Sequence, residues 1–245
     1  MVRVQEIMES RTDNTIVIIP SYNEARTIGC VVSSLVNMGL NVLVVDDGSV
    51  DSTERIALDS GAMVIRSGEN RGKGFSIREG IKYVLDKTRF EWIVIMDGDG
   101  QHCPGDIPAM MAATRAGDVD MVSGNRMLRT ETMPPVRYWT NRFMSWMISG
   151  ICRRDIPDTQ CGYRLVRVEA LKKLKLTSDK YDIETEMLIR AADAAMKIES
   201  VPVRTIYGEE KSEINPVRDT IRFFALILKY HFKLNGLRKT KKIDG

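Results

Sequence analysis

Two histidines, four cysteines and eight prolines in 245 residues set early limits on what this chain can be. Cys30, Cys103, Cys152 and Cys161 form no CxxC pair, and a chain of this length is no short disulfide-held scaffold, so reduced thiols in a cytoplasmic protein are expected. No stretch approaches the roughly eighteen unbroken apolar residues of a membrane span. The opening segment, with Arg3, Glu6, Glu9, Arg11 and Asp13, lacks the apolar run of a signal peptide. Internal repeats and low-complexity tracts are missing. The net charge of +3 is weak, and no recognition motif accompanies the basic residues, so nucleic acid is not an expected partner.

What is present fits one large α/β domain over residues 1–214, followed by an amphipathic, basic extension over 215–245. β-branched or apolar runs at 15–20, 42–45, 62–66, 93–96 and 121–123 read as strands. Between them lie a helix opening near Ala25, a short helix capped by Ser52 or Thr53, and a helix after Gly72-Lys73-Gly74 whose apolar face includes Phe75, Ile77, Ile81, Val84 and Leu85. Such alternation predicts a mostly parallel sheet with helices on both faces.

The strand at 93–96 runs directly into Asp97-Gly98-Asp99-Gly100-Gln101-His102. Asp-Gly-Asp-Gly is good turn chemistry by itself. A second strand, Leu43-Val44-Val45, ends the same way in Asp46-Asp47-Gly48-Ser49. Two acidic strand ends place hard oxygen ligands at the carboxyl edge of the sheet, where open α/β folds bind ligands and where Mg2+ or Mn2+ would clamp a diphosphate.

Two later segments mix aromatics with arginines or lysines. Residues 133–153 carry Tyr138, Trp139, Phe143, Met144 and Trp146 beside Arg137 and Arg142, a pattern that serves either core packing or an amphipathic surface that meets lipid. Residues 217–234 repeat the mixture and include His231, read as interfacial packing; from Lys229 onward Lys233, Arg238, Lys239, Lys241 and Lys242 face only Asp244. That favours an interfacial C-terminal helix on an anionic surface.

Five ordered blocks carry a family likeness: Pro20-Ser-Tyr22-Asn-Glu24, Val45-Asp46-Asp47-Gly-Ser, Asn70-Arg-Gly72-Lys73-Gly74, Asp97-Gly98-Asp99-Gly-Gln101-His102 and Asp158-Thr-Gln160-Cys-Gly162-Tyr-Arg164. Over about residues 15–215 the chain resembles the inverting family-2 glycosyltransferases, with closest likeness to the polyprenyl-phosphate (dolichyl-phosphate) mannose and glucose synthases. The resemblance implies a GT-A nucleotide-diphospho-sugar transferase fold with a mixed sheet. It implies that Pro20, Tyr22, Glu24, Val45, Asp47, Asp97, Gly98 and Asp99 hold the nucleotide-sugar and that Asp97, Asp99 and Gln101 bind the metal ion. Lys73 would add a point charge near the phosphates, and Asp158 and Gln160 would order the acceptor loop.

A polyprenyl phosphate is already an anion, so its oxygen attacks the anomeric carbon without a strong general base. Arginines suit such a phosphate, and Arg126 and Arg142 resemble the positions that hold it in the family. With a glycan or lipid hydroxyl as acceptor, a carboxylate base is required; Asp182 and Glu184 lie where family-2 enzymes carry one, although acids at a helix start also complement its dipole. A non-catalytic nucleotide-sugar-binding module is a third reading. One departure concerns the donor: where mannose synthases place an arginine and then a lysine after Val201-Pro202-Val203, this chain has Tyr207 and Glu213, with Lys211, Arg204 or Arg218 as substitutes. The departure counts against GDP-mannose as the donor and keeps UDP-glucose and UDP-N-acetylhexosamine open. The expected setting is the cytoplasmic face of a membrane, reached through the amphipathic segments, a membrane-protein partner or a homo-oligomer.

Overall fold

The computed structural model describes residues 14–128 and 133–206. In chain order the elements are β1 (Thr15–Ser21), α1 (Ile28–Asn37), β2 (Asn41–Asp46), α2 (Thr53–Asp59), β3 (Met63–Arg66), α3 (Lys73–Lys87), β4 (Trp92–Ile95), α4 (Ile107–Ala113), β5 (Met121–Asn125), α5 (Pro135–Cys152), β6 (Arg164–Arg167), α6 (Val168–Leu171), α7 (Ile183–Asp193) and β7 (Ile198–Pro202). The strands form one sheet in the order β3-β2-β1-β4-β6-β5-β7. β6 runs antiparallel to β4 and β5, and every other pairing is parallel. The expected mostly parallel, helix-flanked sheet is borne out.

Why the central strands are nearly all apolar follows from their position. Along β1, Val17 and Ile19 enter one core with Val42, Val44 and Val94, while Ile16 and Ile18 enter the other with Leu43, Val45, Ile93 and Ile95. A sheet covered on both faces has no solvent side for polar residues to occupy. The first core is closed by α1 and α4 through Ile28, Val32, Leu35, Ile107 and Met110. The second is closed by α3 and α7 through Ile77, Ile81, Val84, Met187 and Leu188.

Five strands fall where the sequence pattern puts them, and β6 and β7 do not. β6 is four residues, Arg164-Leu165-Val166-Arg167, whose terminal arginines hide it from a hydrophobic pattern; Arg164 is 1% exposed and Arg167 lies over the Trp92 ring at 5.0 Å. The first helix also begins later than Ala25. The loop before it gives its N–H groups to the turn after β2: Asn23 N–H donates to Ser49 Oγ, Glu24 N–H to Thr53 Oγ1 and Ala25 N–H to Asp51 Oδ2. Those cross-loop bonds tie the bend at Tyr22 and Asn23 and the turn over 25–27 to the neighbouring loop, with Asn23 at a φ of 56°, and α1 begins only at Ile28. Ser52 is the N-cap of α2 but its side chain makes no cap bond; Asp51 Oδ1 accepts from Thr53 N–H instead.

The exposed aromatics of α5 do not serve core packing. The inward positions of this helix are Asn141, Ser145 and Ile148, whereas Val136, Trp139, Phe143 and Trp146 are exposed. Among the described residues no helix is long and apolar enough to cross a membrane. The 214/215 domain boundary, the interfacial helix expected over 217–234, and Tyr207, Lys211, Glu213 and Arg218 lie outside the described residues.

A buried carboxylate anchors the loop that leads into α7. Glu186 has no exposed surface and accepts from Thr177 N–H, Ser178 N–H, Thr177 Oγ1 and Arg190 Nε at 2.7–2.9 Å. Burial alone would raise its pKa, but these donors together bring it down from 4.5 to about 2. A depressed carboxyl contributes stability above its unfolded pKa and loses it as pH falls through the folded value. Glu186→Gln is therefore expected to cost about 3 kcal/mol at neutral pH. In urea unfolding at a series of pH values, the gap to wild type closes between pH 4.5 and about 2; a pH-independent gap would contradict this.

Candidate active site

The carboxyl ends of β1, β2 and β4 open onto a cleft of about 260 Å3. Pairing brings Ser21 opposite Asp46 and Ile18 opposite Ile95, so Asp47 and the segment after β4 flank the end of β1. Pro20, Tyr22, Glu24, Asp47, Lys73, Asp97, Gly98 and Asp99 line this cleft together. Gly98 is required by the close approach of its loop to β1, since a Cβ there would meet Ser21 Oγ at 2.7 Å. Thr27 Oγ1 fixes the same turn by donating to the Gly98 carbonyl at 2.8 Å.

Lys73, the first residue of α3, lies at the centre of the charges. Its Nζ is 2.6 Å from Asp97 Oδ1 and 2.6 Å from Glu184 Oε1. Burial would lower the Lys73 pKa, but the two carboxylates outweigh it and keep the ammonium charged above its usual range. For Asp97 burial works upward, and Lys73 with the more distant Arg126 holds the carboxyl below its usual range. Gly162 closes over the trio: a Cβ there would stand 3.2 Å from both Asp97 Oδ2 and Lys73 Nζ and 3.3 Å from Glu184 Oε1. The loop over 158–162 thus covers the lysine from the side opposite α3.

Neighbouring residues hold these groups still. Asp97 N–H donates to His102 Nδ1 at 3.2 Å, and the His102 ring stacks on Tyr163 with centroids 4.9 Å apart. Burial dominates the His102 pKa and depresses it to about 4, so the ring is a neutral strut at physiological pH. Asp99 Oδ1 accepts from Gln101 N–H at 2.9 Å, which folds the loop, while Gln101 is not among the residues that line the cleft. Asp47 accepts Arg71 N–H at 3.0 Å and Gly72 N–H at 2.6 Å, so this carboxylate pins the approach to α3 as well as facing the cleft.

Other expected site residues lie elsewhere. Val45 is fully buried in the core beneath the cleft. Arg126 directs Nε and Nη2 to Asp158 at 2.8 and 3.0 Å and its backbone N–H to the same carboxylate, which stabilises the 158–162 loop. Arg142 is exposed on α5 beside the Tyr138 hydroxyl. Arg204 pairs with Asp106 through Nε at 2.9 Å. Asp182 is the N-cap of α7 and makes no side-chain cap bond.

Lys180 and Tyr181 are cleft residues that pattern reading missed. Their loop is folded back on α3: Phe75 N–H donates to the Asp179 carbonyl, and a Cβ on Gly74 would meet the Ser178 carbonyl oxygen at 2.5 Å. Glycine at 74 thus permits backbone contact between distant segments, a role invisible in Gly-Lys-Gly read alone. The Lys-Tyr pair before an acidic helix start was the available signal.

Carboxylates, ammonium groups and two tyrosines facing one cleft suit a nucleoside diphosphate and a hard cation. No group of three or more His, Cys, Asp or Glu is gathered for a metal among the described residues. Two carboxylates on one loop nevertheless fit Mg2+ or Mn2+, which commonly take one or two protein carboxylates and complete their shell with phosphate oxygens and water.

The family model described as Glycosyl transferase family 2 matches residues 16–175. The chain belongs to glycosyl transferase family 2. Among family members, the glycosyltransferase AglJ of Haloferax volcanii is 34% identical over 213 residues, covering 84% of this chain and 68% of the relative. The UDP-N-acetylglucosamine–dolichyl-phosphate N-acetylglucosaminyltransferase of Methanococcus voltae is 29% identical over 215 residues, covering 78% and 85%. Glucosyl-3-phosphoglycerate synthase of Mycobacterium tuberculosis, solved with Mn2+, uridine diphosphate and phosphoglyceric acid, superposes with a TM-score of 0.70 over 95% of this chain and 82% of that one at 20% identity. The fold of this family-2 chain is accordingly the GT-A arrangement.

Lys73 is the internal counter-ion of the family-2 cleft, with 15% of its side chain exposed. Lys73→Met leaves Asp97 and Glu184 facing each other without the lysine ammonium, and is expected to cost about 3 kcal/mol of stability. Thermal unfolding with and without Mn2+ checks it: the ion should raise the variant's melting temperature more than the wild type's. Equal shifts would contradict an ion site that includes Asp97.

Proposed function

We propose that this family-2 transferase moves one sugar from a nucleotide-diphospho-sugar to a polyprenyl phosphate, with inversion at the anomeric carbon, on the cytoplasmic face of a membrane. The observation that carries this reading is the cleft itself, where Asp97, Asp99, Tyr22, Asp47 and Lys73 converge at the carboxyl edge of the sheet. It is supported by a relative whose name specifies transfer to dolichyl phosphate.

In this reading Tyr22 packs against the base, and Asp47 and Glu24 receive the nucleoside hydroxyls or base N–H groups. Asp97 and Asp99, with Gln101, would hold Mg2+ or Mn2+, which would supply charge stabilisation for a departing diphosphate. Lys73 lies next to that position and can pass from its carboxylates toward phosphate oxygens. The acceptor phosphate is an anion and attacks directly, so the protein contributes alignment and charge rather than proton abstraction. Arg142 is the cation offered to the lipid phosphate, while Arg126 keeps the acceptor loop in place through Asp158. GDP-mannose, UDP-glucose and UDP-N-acetylhexosamine are the donors to be compared.

Glu184 favours attention to the second reading, a hydroxyl acceptor, because its carboxylate lies beside Asp97. Yet that carboxylate is already engaged in an ion pair, with Oε1 2.6 Å from the Lys73 ammonium. Kinetics with a short polyprenyl phosphate in detergent separate the cases. Asp99→Ala should lower kcat/KM by about a thousandfold, as expected for loss of a charge-stabilising group. Glu184→Gln should cost less than about tenfold, against the hundredfold or more that loss of a general base costs. A severe Glu184→Gln defect would move the assignment to a hydroxyl acceptor. Donor binding without any transfer or donor hydrolysis would point to a non-catalytic module.

A further inference from the structure

Helix α5 is turned inside out relative to an ordinary surface helix. Toward the protein it presents Asn141 and Ser145 with Ile148; toward solvent it presents Val136, Trp139, Phe143 and Trp146, which are 79%, 66%, 51% and 71% exposed. Those four recur at i, i+3, i+7 and i+10, so they form one continuous stripe along the helix. From Met133 to Arg154 there is no acidic residue, while Arg137, Arg142, Arg153 and Arg154 are present, with Arg142 and Arg153 exposed.

We infer that this stripe docks on an anionic lipid surface. Tryptophan and phenylalanine bury their rings at the headgroup boundary, and the flanking arginines meet lipid phosphates there. A second copy of the chain is the competing occupant, because the spacing would also suit a helix seam. Charge decides between them: two such helices would bring arginines together with no acid on either side, whereas an anionic bilayer supplies the opposite charge.

The same helix is tied to the reaction cleft by its inward polar face. Thr159 N–H donates to Ser145 Oγ and Ile156 N–H to Ser149 Oγ, both at 3.0 Å. The loop so fixed continues to Gly162, which covers Lys73, Asp97 and Glu184. Arg164, buried behind it, donates to the Thr159 and Glu184 carbonyls and joins the loop to α7. Polar residues face inward on α5 because they hold this loop; aromatics face outward because lipid covers them. Docking therefore sets the 156–162 loop and the cleft beside it at a fixed height above the headgroups. This positioning role rests on the lipid-phosphate reading of the acceptor, while the docking itself does not.

The test uses the full chain and phosphatidylcholine vesicles containing phosphatidylglycerol, without donor or acceptor. Of the three tryptophans, Trp92 is buried, so Trp139 and Trp146 report contact. Their fluorescence should be quenched by lipids brominated along the acyl chains. The triple variant Trp139→Ser, Phe143→Ser, Trp146→Ser should bind about a hundredfold more weakly in co-sedimentation. All three side chains are more than half exposed, so the variant should keep the wild-type circular dichroism spectrum and its transfer to a short acceptor in detergent. Unquenched tryptophans, vesicle binding unchanged in the variant, or a wild-type dimer that the variant dissociates would each overturn the inference. Failed transfer with intact vesicle binding would count against the acceptor assignment alone.

Discussion

The ammonium of Lys73 joins three parts of this protein that are far apart in sequence. It begins α3, and it holds the acid that ends β4 and the acid in the first turn of α7. Without that cation, Asp97 and Glu184 would repel each other inside a partly closed cleft, and either the loop after β4 or the start of α7 would have to move. The backbone around it is built to bring these parts close. Gly74 lets the Ser178 carbonyl approach α3, Gly98 lets the loop after β4 touch β1, and Gly162 lies over the lysine itself. In the proposed reading, a positive charge beside the ion and diphosphate position would keep the acids ordered before either arrives.

A second layer supports the first through groups that carry no charge or are already paired. His102 is neutral and stacked, and it fixes the Asp97 backbone. Arg126 and Asp158 form a bidentate pair that leaves the 158–162 loop with one geometry. The pattern is economical: residues that look catalytic by type, such as Arg126, Asp46 and His102, do structural work one step away from the cleft. Asp46 is fully buried and accepts Ser49 N–H, whereas its neighbour Asp47 reaches the cleft.

Much of this was legible in the sequence because the signals were local. The apolar strands ending in Asp46-Asp47 and Asp97-Gly98-Asp99 reveal both the parallel sheet and the edge that carries the site. β6 escaped because a four-residue strand flanked by arginines has no hydrophobic pattern, and its burial depends on the long-range partners of Arg164. Val45 and Asp47 belong to one motif, yet the pleat sends Val45 into the core and the strand end sends Asp47 toward the cleft. Lys180 and Tyr181 were missed because they reach the cleft only when their loop folds against Gly72 and Gly74, a contact spanning about a hundred residues of chain. The orientation of α5 was also hidden: the sequence contained the aromatic stripe, but only the inward bonds of Ser145 and Ser149 determine which way it faces.

The central claim is a single displacement by a lipid phosphate at the cleft edge. The most direct test incubates the protein with each candidate nucleotide-diphospho-sugar, Mn2+ and a short polyprenyl phosphate, then reads the anomeric configuration of the product by NMR. One donor should yield a polyprenyl-phosphate sugar whose anomeric configuration is opposite to that of the donor. A product with retained configuration, or transfer only to a hydroxyl acceptor, would contradict it.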